Sequence, residues 1–394
     1  MSVTERINMD QAAGRPVDAK VLDAMLPYMT DRYGNPSSLH TFGQEAKNAL
    51  EDARAKVAQL VNAEKKESII FTSGATESNN TAIKGVANRN KDKGNRIVTS
   101  SVEHMSVLNT VKFLKIKGFE TVFIPVDKTG LVSLENLQKE VTDKTVLVTI
   151  VYANNEIGTI EPIKEISKIV HEKNVILHVD ATAANGQIPI DVRDEGIDLL
   201  TLSSNDIYGP GGVGALYIKE GVRIEPILHG GGQERGLRSG TENVAGIVGF
   251  GRAAEIAKLE MQTESQRLIR LRDRFIKGLL EPISFSFLNG HPTRRLPNSV
   301  SVRYNFIEGE SMLLSLDLKG VAASSGSACT AKTLEPSHVL LAMGLKPEDA
   351  HGSLMFTLGK QNTEKEVDYV VSLMPDIVKR LRTMSPLTPK ECKE

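Results

Sequence analysis

The chain has 394 residues, 40% of them hydrophobic, and 48 basic against 49 acidic side chains give a formal net charge of −1. That length supports one large core plus a smaller one, and the balanced charge offers neither a basic excess for nucleic acid nor the like-charge run of a disordered tail. No apolar stretch reaches the roughly 18 residues of a membrane span, and residues 1–10 (MSVTERINMD) lack the pattern of a secretory signal. The two cysteines, Cys329 and Cys392, cannot build a disulfide framework, and their scarcity fits a cytoplasmic, reducing setting.

The first legible element is an amphipathic helix from Gly43 to Ala63, where Ala46, Leu50, Ala53, Val57 and Leu60 recur at three or four residues. Short β-branched runs follow at 68–72 (SIIFT), 96–100 (RIVTS), 121–126 (TVFIPV), 146–151 (VLVTIV), 175–179 (VILHV) and 198–202 (DLLTL). Continuous apolar runs of this length read as strands covered on both faces, as in a parallel sheet. Between two of them Pro162 sits just inside a predicted helix whose apolar side carries Ile163, Ile166, Ile169 and Val170. The alternation predicts an α/β domain with right-handed crossovers.

Beyond about residue 260 the texture changes. A charged helix is expected from about Glu255 to Leu280, then a half-exposed strand at 298–304 (NSVSVRY) and an apolar strand at 353–358 (SLMFTL). Thr363 and Glu366 form a capping box before a helix bearing Val367, Val370, Val371 and Met374. The expected division is a large domain over 16–260 and a smaller α+β domain built from 1–15 and 261–394.

Candidate chemistry gathers where strands end. In TSGATESNN (72–80) a glycine turn leads into a helix opening at Ala75 or Thr76, a place suited to phosphate but common as a plain strand–helix connection. Asp180 in HVDATAANG (178–186) is a buried acid that needs a partner, either a protonated ring nitrogen or the backbone it would cap. His104 follows another strand and reads as a structural hydrogen-bonder or a ligand contact. Thr72–Thr76, His104, Asn154–Asn155, Asp180 and Ser203–Asp206 all fall at carboxyl ends of strands, where open α/β sheets bind ligands. In VAASSGSACTAK (321–332) nothing apolar surrounds Cys329, which suggests a mobile loop with an accessible thiol.

Taken in order, TSGATESNN, VEHMSVLNT, NNEIGTI, HVDAT, IYGPGGVGALY, HGGGQERGLRSGT, SSGSACT and LEPSHVL closely resemble the IscS-like cysteine desulfurases of iron–sulfur cluster assembly. GNPSSLHTFG (34–43) and LRTMSP (381–386) match as well. The resemblance implies a homodimeric fold-type I architecture that binds pyridoxal phosphate (PLP), converts L-cysteine to L-alanine and holds sulfur as a persulfide on Cys329 for a scaffold protein. By position it assigns Ala75, Thr76, Ser203 and Asn205 to the PLP phosphate, with Thr241 reaching in from the other subunit. It gives His104 to ring stacking, Asp180 to the pyridine nitrogen and Asn155 to cofactor and substrate.

The chain departs from that pattern at the reaction centre. Ser-Gly-His-Lys of the family reads Ser203-Ser204-Asn205-Asp206, and a carboxylate cannot form the covalent bond that the lysine makes with PLP. The lysine also moves a proton, a contribution typically of about 100- to 10,000-fold in rate. The substrate-gripping arginine of the family's Ser-Ile-Arg-Phe is replaced by Met355, which cannot make a bidentate ion pair. The glutamine after HVDAT is Ala183, and the N-terminal Ala-Thr-Thr-Pro reads Ala13-Gly14-Arg15-Pro16, so that Arg15 returns one cation if its loop borders the site. The expectation is PLP held noncovalently, weak or absent turnover, and service as a scaffold partner docking near the C-terminus. Cys329 would act there as sulfur carrier or as ligand to a shared [2Fe–2S] cluster. The competing readings are an active desulfurase with noncovalent PLP, or compensation by Lys332.

Overall fold

The computed structural model describes residues 6–326 and 336–389. The chain opens with β1 (Ile7–Asn8), α1 (Ala19–Met25), α2 (Pro27–Thr30) and α3 (Thr41–Leu60). Strands and helices then alternate: β2 (Ile69–Thr72), α4 (Ala75–Arg89), β3 (Arg96–Ser100), α5 (Met105–Ile116), β4 (Glu120–Ile124), α6 (Leu134–Glu140), β5 (Thr145–Val151), α7 (Ile163–His171), β6 (Ile176–Asp180) and β7 (Leu199–Ser203). After β8 (Gly214–Ile218) come α8 (Val244–Leu280), β9 (Ser286–Leu288), β10 (Ser299–Tyr304), α9 (Gly309–Asp317), β11 (Val321–Ala322), α10 (His338–Ala342), α11 (Pro347–His351), β12 (Ser353–Thr357) and α12 (Glu364–Met384).

The large sheet has the order β2-β8-β7-β6-β5-β3-β4, parallel throughout except that β8 runs antiparallel to both of its neighbours. Alternate residues of its strands feed two separate cores. Phe71, Val98, Val148, Val179 and Leu200 enter the core under α3, α7 and the first half of α8. Ile70, Ile97, Leu147 and Leu199 enter the opposite core under α4 and α5. Both faces are therefore covered, which is why these strands read as unbroken apolar runs rather than alternating ones. The carboxyl ends of β2, β3, β5, β6 and β7 consequently fall on one edge.

A third core gathers Met9, Phe275, Val300, Val302, Phe356, Val367 and Met374 around the sheet β12-β10-β9, with α8 and α12 packed against it. The chain's start joins this unit, because β1 pairs in parallel with β11 and Met9 is fully buried. The expected capping box of α12 is present: Thr363 Oγ1 accepts from the Glu366 N–H (3.3 Å) and Glu366 Oε2 accepts from the Thr363 N–H (2.8 Å).

Three expectations need correction. Pro162 is the N-cap of α7 rather than its first helical residue. β10 is buried at all positions but Arg303 rather than half exposed, because its polar face meets the large unit. There a Cβ on Gly158 would fall 2.7 Å from Ser299 Oγ, so glycine is what permits the approach. α8 begins at Val244, well before Glu255. Its early glycines lower helix propensity, but a Cβ at Gly251 would lie 2.5 Å from Ala53 Cα and one at Gly249 2.6 Å from Met25 Sδ. Close packing against α3 and α1 outweighs local preference.

Candidate active site

The carboxyl edge of the large sheet meets the small unit around a cavity of about 190 Å³. Ala75, His104, Asn155, Asp180, Asn205 and Asp206 line it from the sheet side, and Asn298, Ser299 and Thr357 from the small unit. Arg15 and Ala183 complete the wall. The sequence-predicted groups thus converge, with exceptions. Thr76 is exposed and does not line the cavity, while Ser203 is buried behind it. Thr241, expected to serve a partner subunit, is exposed and away from this chain's own cavity. Cys329 and Lys332 lie outside the described residues.

Asp180 closes β6 and is 3% exposed. Its Oδ1 accepts from the Thr182 N–H (3.0 Å) and hydroxyl (2.6 Å), and its Oδ2 accepts from Asn79 Nδ2 (2.7 Å). One oxygen caps the turn and the other is tied to α4, so the two sequence readings of Asp180 are compatible. Burial of the carboxylate is offset by three hydrogen bonds, and each oxygen retains accepting capacity toward the cavity.

His104 is the N-cap of α5; its Nδ1 accepts from the Ser106 N–H (3.1 Å) and lies 2.8 Å from Ser106 Oγ. The neutral ring therefore carries its proton on Nε2. Asn79 Nδ2 also donates to Ser106 Oγ (2.8 Å). A continuous chain of hydrogen bonds, Asp180–Asn79–Ser106–His104, thus holds the two principal side chains in register. Asn79 and Ser106 were overlooked in the sequence, although both sit inside quoted motifs. Their signal was helical spacing: Asn79 lies one turn past Ala75, on the side of α4 that faces the strand ends.

The N-terminus of α4 follows Gly74, whose φ of +148° suits only glycine and whose side makes no side-chain cap. Its first amides are left for a ligand, and the helix dipole favours an anion there. Asn154, by contrast, is structural: its Nδ2 donates to Val102 O (2.8 Å) and its Oδ1 accepts from the Glu156 and Ile157 amides (2.9 and 3.0 Å).

Asp206 sits in a short turn, Asn205–Ile207, directly after β7. Burial pushes its carboxyl above the ordinary range, opposed by the nearby Arg15 charge and a hydrogen bond from Ser203. Arg15 Nη1 donates to the Asp206 carbonyl, Nε donates to the Gln11 carbonyl (3.3 Å), and the guanidinium stands 5.1 Å from the Tyr208 ring centroid. The N-terminal loop does border the site. No lysine lines the cavity among the described residues.

A second cavity of about 140 Å³ adjoins the first and shares Ala12, His104 and Asn155 with it. It reaches Ser324–Gly326 and Ser337, the stems on either side of the Cys329 segment. Met355 lines this second space, its backbone paired with Ser324 in both directions (2.8 and 3.0 Å). Glu156 is buried here; its Oε2 accepts from Ser337 Oγ (2.7 Å), and burial drives its pKa up to about 7.

The class-V aminotransferase profile matches residues 7–370. Cysteine desulfurase IscS 1 of Archaeoglobus fulgidus is 57% identical over 96% of this chain and 98% of its own length. The chain belongs to the cysteine desulfurase family. A second desulfurase, IscS of Methanosarcina thermophila, is 54% identical over 98% of this chain and 95% of its own. Among solved structures, a NifS-like protein superposes with a TM-score of 0.90 at 40% identity, covering 95% of this chain and all of that one. A structure titled "SspA in complex with cysteine" gives 0.80 at 35% identity, over 90% and 98% of the two chains.

Cysteine desulfurases use PLP, and the fold is that of the fold-type I PLP-dependent enzymes. The residues here fit the group in three respects: an uncapped helix N-terminus for a phosphate, a buried carboxylate for a ring N–H, and an imidazole held on the cavity wall. Among the described residues, none that lines the cavity supplies an amine to bind it covalently.

Proposed function

We propose that this cysteine desulfurase family member binds PLP noncovalently, turns over L-cysteine weakly or not at all, and serves iron–sulfur cluster assembly chiefly through Cys329. The observation that carries the reading is Asp206 at the cavity wall with no lysine lining the cavity among the described residues. Asp180 would hold the ring nitrogen, the first turn of α4 with Ser203 and Asn205 the phosphate, and His104 and Asn155 the ring and its substituents. Bound there, PLP supplies an electron sink next to the substrate carbon.

The chain's own groups explain why turnover should be poor. His104 Nδ1 is engaged by Ser106, so one ring nitrogen is left to face the cavity. Asp206 can accept a proton but cannot take the lysine's covalent role. Met355 presents a thioether where a cation would grip a carboxylate. With catalysis weakened, the thiol of Cys329 remains as the useful group: it can carry sulfur as a persulfide or ligate a [2Fe–2S] cluster shared with a scaffold protein. Conservation of fold across the family supports a homodimer in which Thr241 serves the neighbouring subunit, and the retained LRTMSP segment supports scaffold docking near the C-terminus.

The test is alanine release from L-cysteine and a reductant, with and without added PLP. The expected result is formation at or near background in both. Appreciable alanine that rises with PLP would instead establish an active desulfurase using noncovalent cofactor.

A further inference from the structure

Among the described residues Arg15 is the sole Lys or Arg lining the main cavity, which two carboxylates, Asp180 and Asp206, also line. Its contacts fix its direction without neutralising it. Two are neutral backbone carbonyls, of Gln11 and Asp206, and the third is the Tyr208 ring. The Arg15 charge acts on the Asp206 carboxyl, lowering its pKa against the effect of burial, with no ion pair of Arg15 found among the described residues. Tyr208 is itself held in place: its hydroxyl accepts from the Lys360 N–H (2.8 Å), and its φ of +63° brings the chain round sharply after Asp206. A guanidinium so fixed keeps donors free. On the same wall, Asn298 and Ser299 are 4% and 1% exposed, and Asn298 Oδ1 and Ser299 Oγ have no hydrogen-bond partner among the described residues.

We propose that Arg15 and Asp206 form a clamp for an α-amino acid, Arg15 taking its carboxylate and Asp206 its ammonium. The assignment rests on the reading above that this cavity holds an amino-acid substrate. Charge complementarity argues for it. With Asp180 committed to a ring N–H, the cavity is left with one cation and one anion, the pattern of a zwitterion. Arg15 reaches the cavity from the N-terminal loop rather than from β12, so the carboxylate would be gripped on a different wall from Met355, which faces the second cavity. The planar donor fork of Arg15 suits a carboxylate geometrically. Asn298 and Ser299 stand on the wall where that carboxylate would lie.

Isothermal titration of the protein saturated with pyridoxine 5'-phosphate, which has no aldehyde to condense with an amine, compares L-alanine with L-alaninamide, which keeps the amine and loses the carboxylate. The amide should bind at least about tenfold more weakly, at the lower end of what a charge-assisted hydrogen bond contributes. Arg15→Gln should weaken L-alanine by a similar factor and leave ethylamine unchanged, while Arg15→Lys should recover part of the loss. Equal affinity for L-alanine and its amide in the native protein overturns the clamp, and so does an Arg15→Gln variant that binds L-alanine as the native protein does. The amide comparison needs no variant, so it decides even if Arg15→Gln does not fold. Cofactor uptake is read separately from its absorption band: uptake without carboxylate preference sinks this assignment alone, and absence of uptake sinks the reading it rests on.

Discussion

Glu103 is fully buried beside His104 in the chain; its Oε1 accepts from Ser100 Oγ (2.6 Å) and the Val151 N–H (2.9 Å), and its Oε2 has no partner among the described residues. Burial pushes its pKa to about 8, and Glu156 and Glu161 move the same way, to about 7 and 8. An acid whose folded pKa is raised binds its proton more tightly when folded. Its contribution to stability is complete below the ordinary carboxylate range and is lost as pH climbs through the folded value. Glu103→Gln keeps the accepting oxygen and removes the titration. The variant should therefore melt near the native temperature at pH 5 and higher than native at pH 8, by about 1 °C for each kcal/mol recovered in a chain of this length. Parallel melting curves at both pH values would contradict it. Glu103 illustrates what single residues conceal. Asp180 and His104 were legible because each follows an apolar strand, whereas Glu103 is one exposed-looking acid among many until its neighbours bury it.

At the scale of elements, α3 is joined to the sheet edge by a buried ion pair. Arg54 Nη1 and Nη2 each lie 2.7 Å from an oxygen of Glu234, Arg54 Nη1 also donates to the Ile69 carbonyl, and Glu234 accepts from the Phe71 N–H. Such a pair adds little net stability, but removing Glu234 leaves the buried Arg54 with only the partly exposed Glu51, 3.1 Å from its Nε, at a cost of up to about 3–5 kcal/mol. Glu234→Ala should lower the denaturation midpoint strongly, and Glu234→Ala with Arg54→Met should recover much of the loss. Similar midpoints for the single and double variants would show that the charge is not stranded. None of this is written in α3's periodicity, which locates the helix but not its partner 180 residues on. β8 was missed for a related reason. Its residues Gly214–Ile218 hold few β-branched side chains, and strand structure there follows from pairing with β2 and β7 on both sides. The long runs of β3 and β5 needed no such help.

At the scale of the whole molecule, two units meet along the carboxyl edge of the sheet and leave adjoining cavities, one at Asp180 and Asp206 and one at the stems of the Cys329 segment. The fold was readable from alternation of strands and helices, and much of the cavity's lining from the places where strands end. Where Arg15 and Met355 face required the folded chain. If Cys329 serves a scaffold-held cluster, anaerobic reconstitution of a [2Fe–2S] cluster with a scaffold protein should lose its cluster yield or its complex in Cys329→Ala. Equal cluster and complex in the variant would remove the cysteine from the mechanism.

On the proposed reading the chain holds PLP without a covalent bond, because position 206 offers no amine. Borohydride reduction of the PLP-saturated protein, followed by peptide mapping, tests it directly. The native chain should remain unmodified while Asp206→Lys acquires the cofactor at residue 206. Cofactor found on any lysine of the native chain would overturn noncovalent binding.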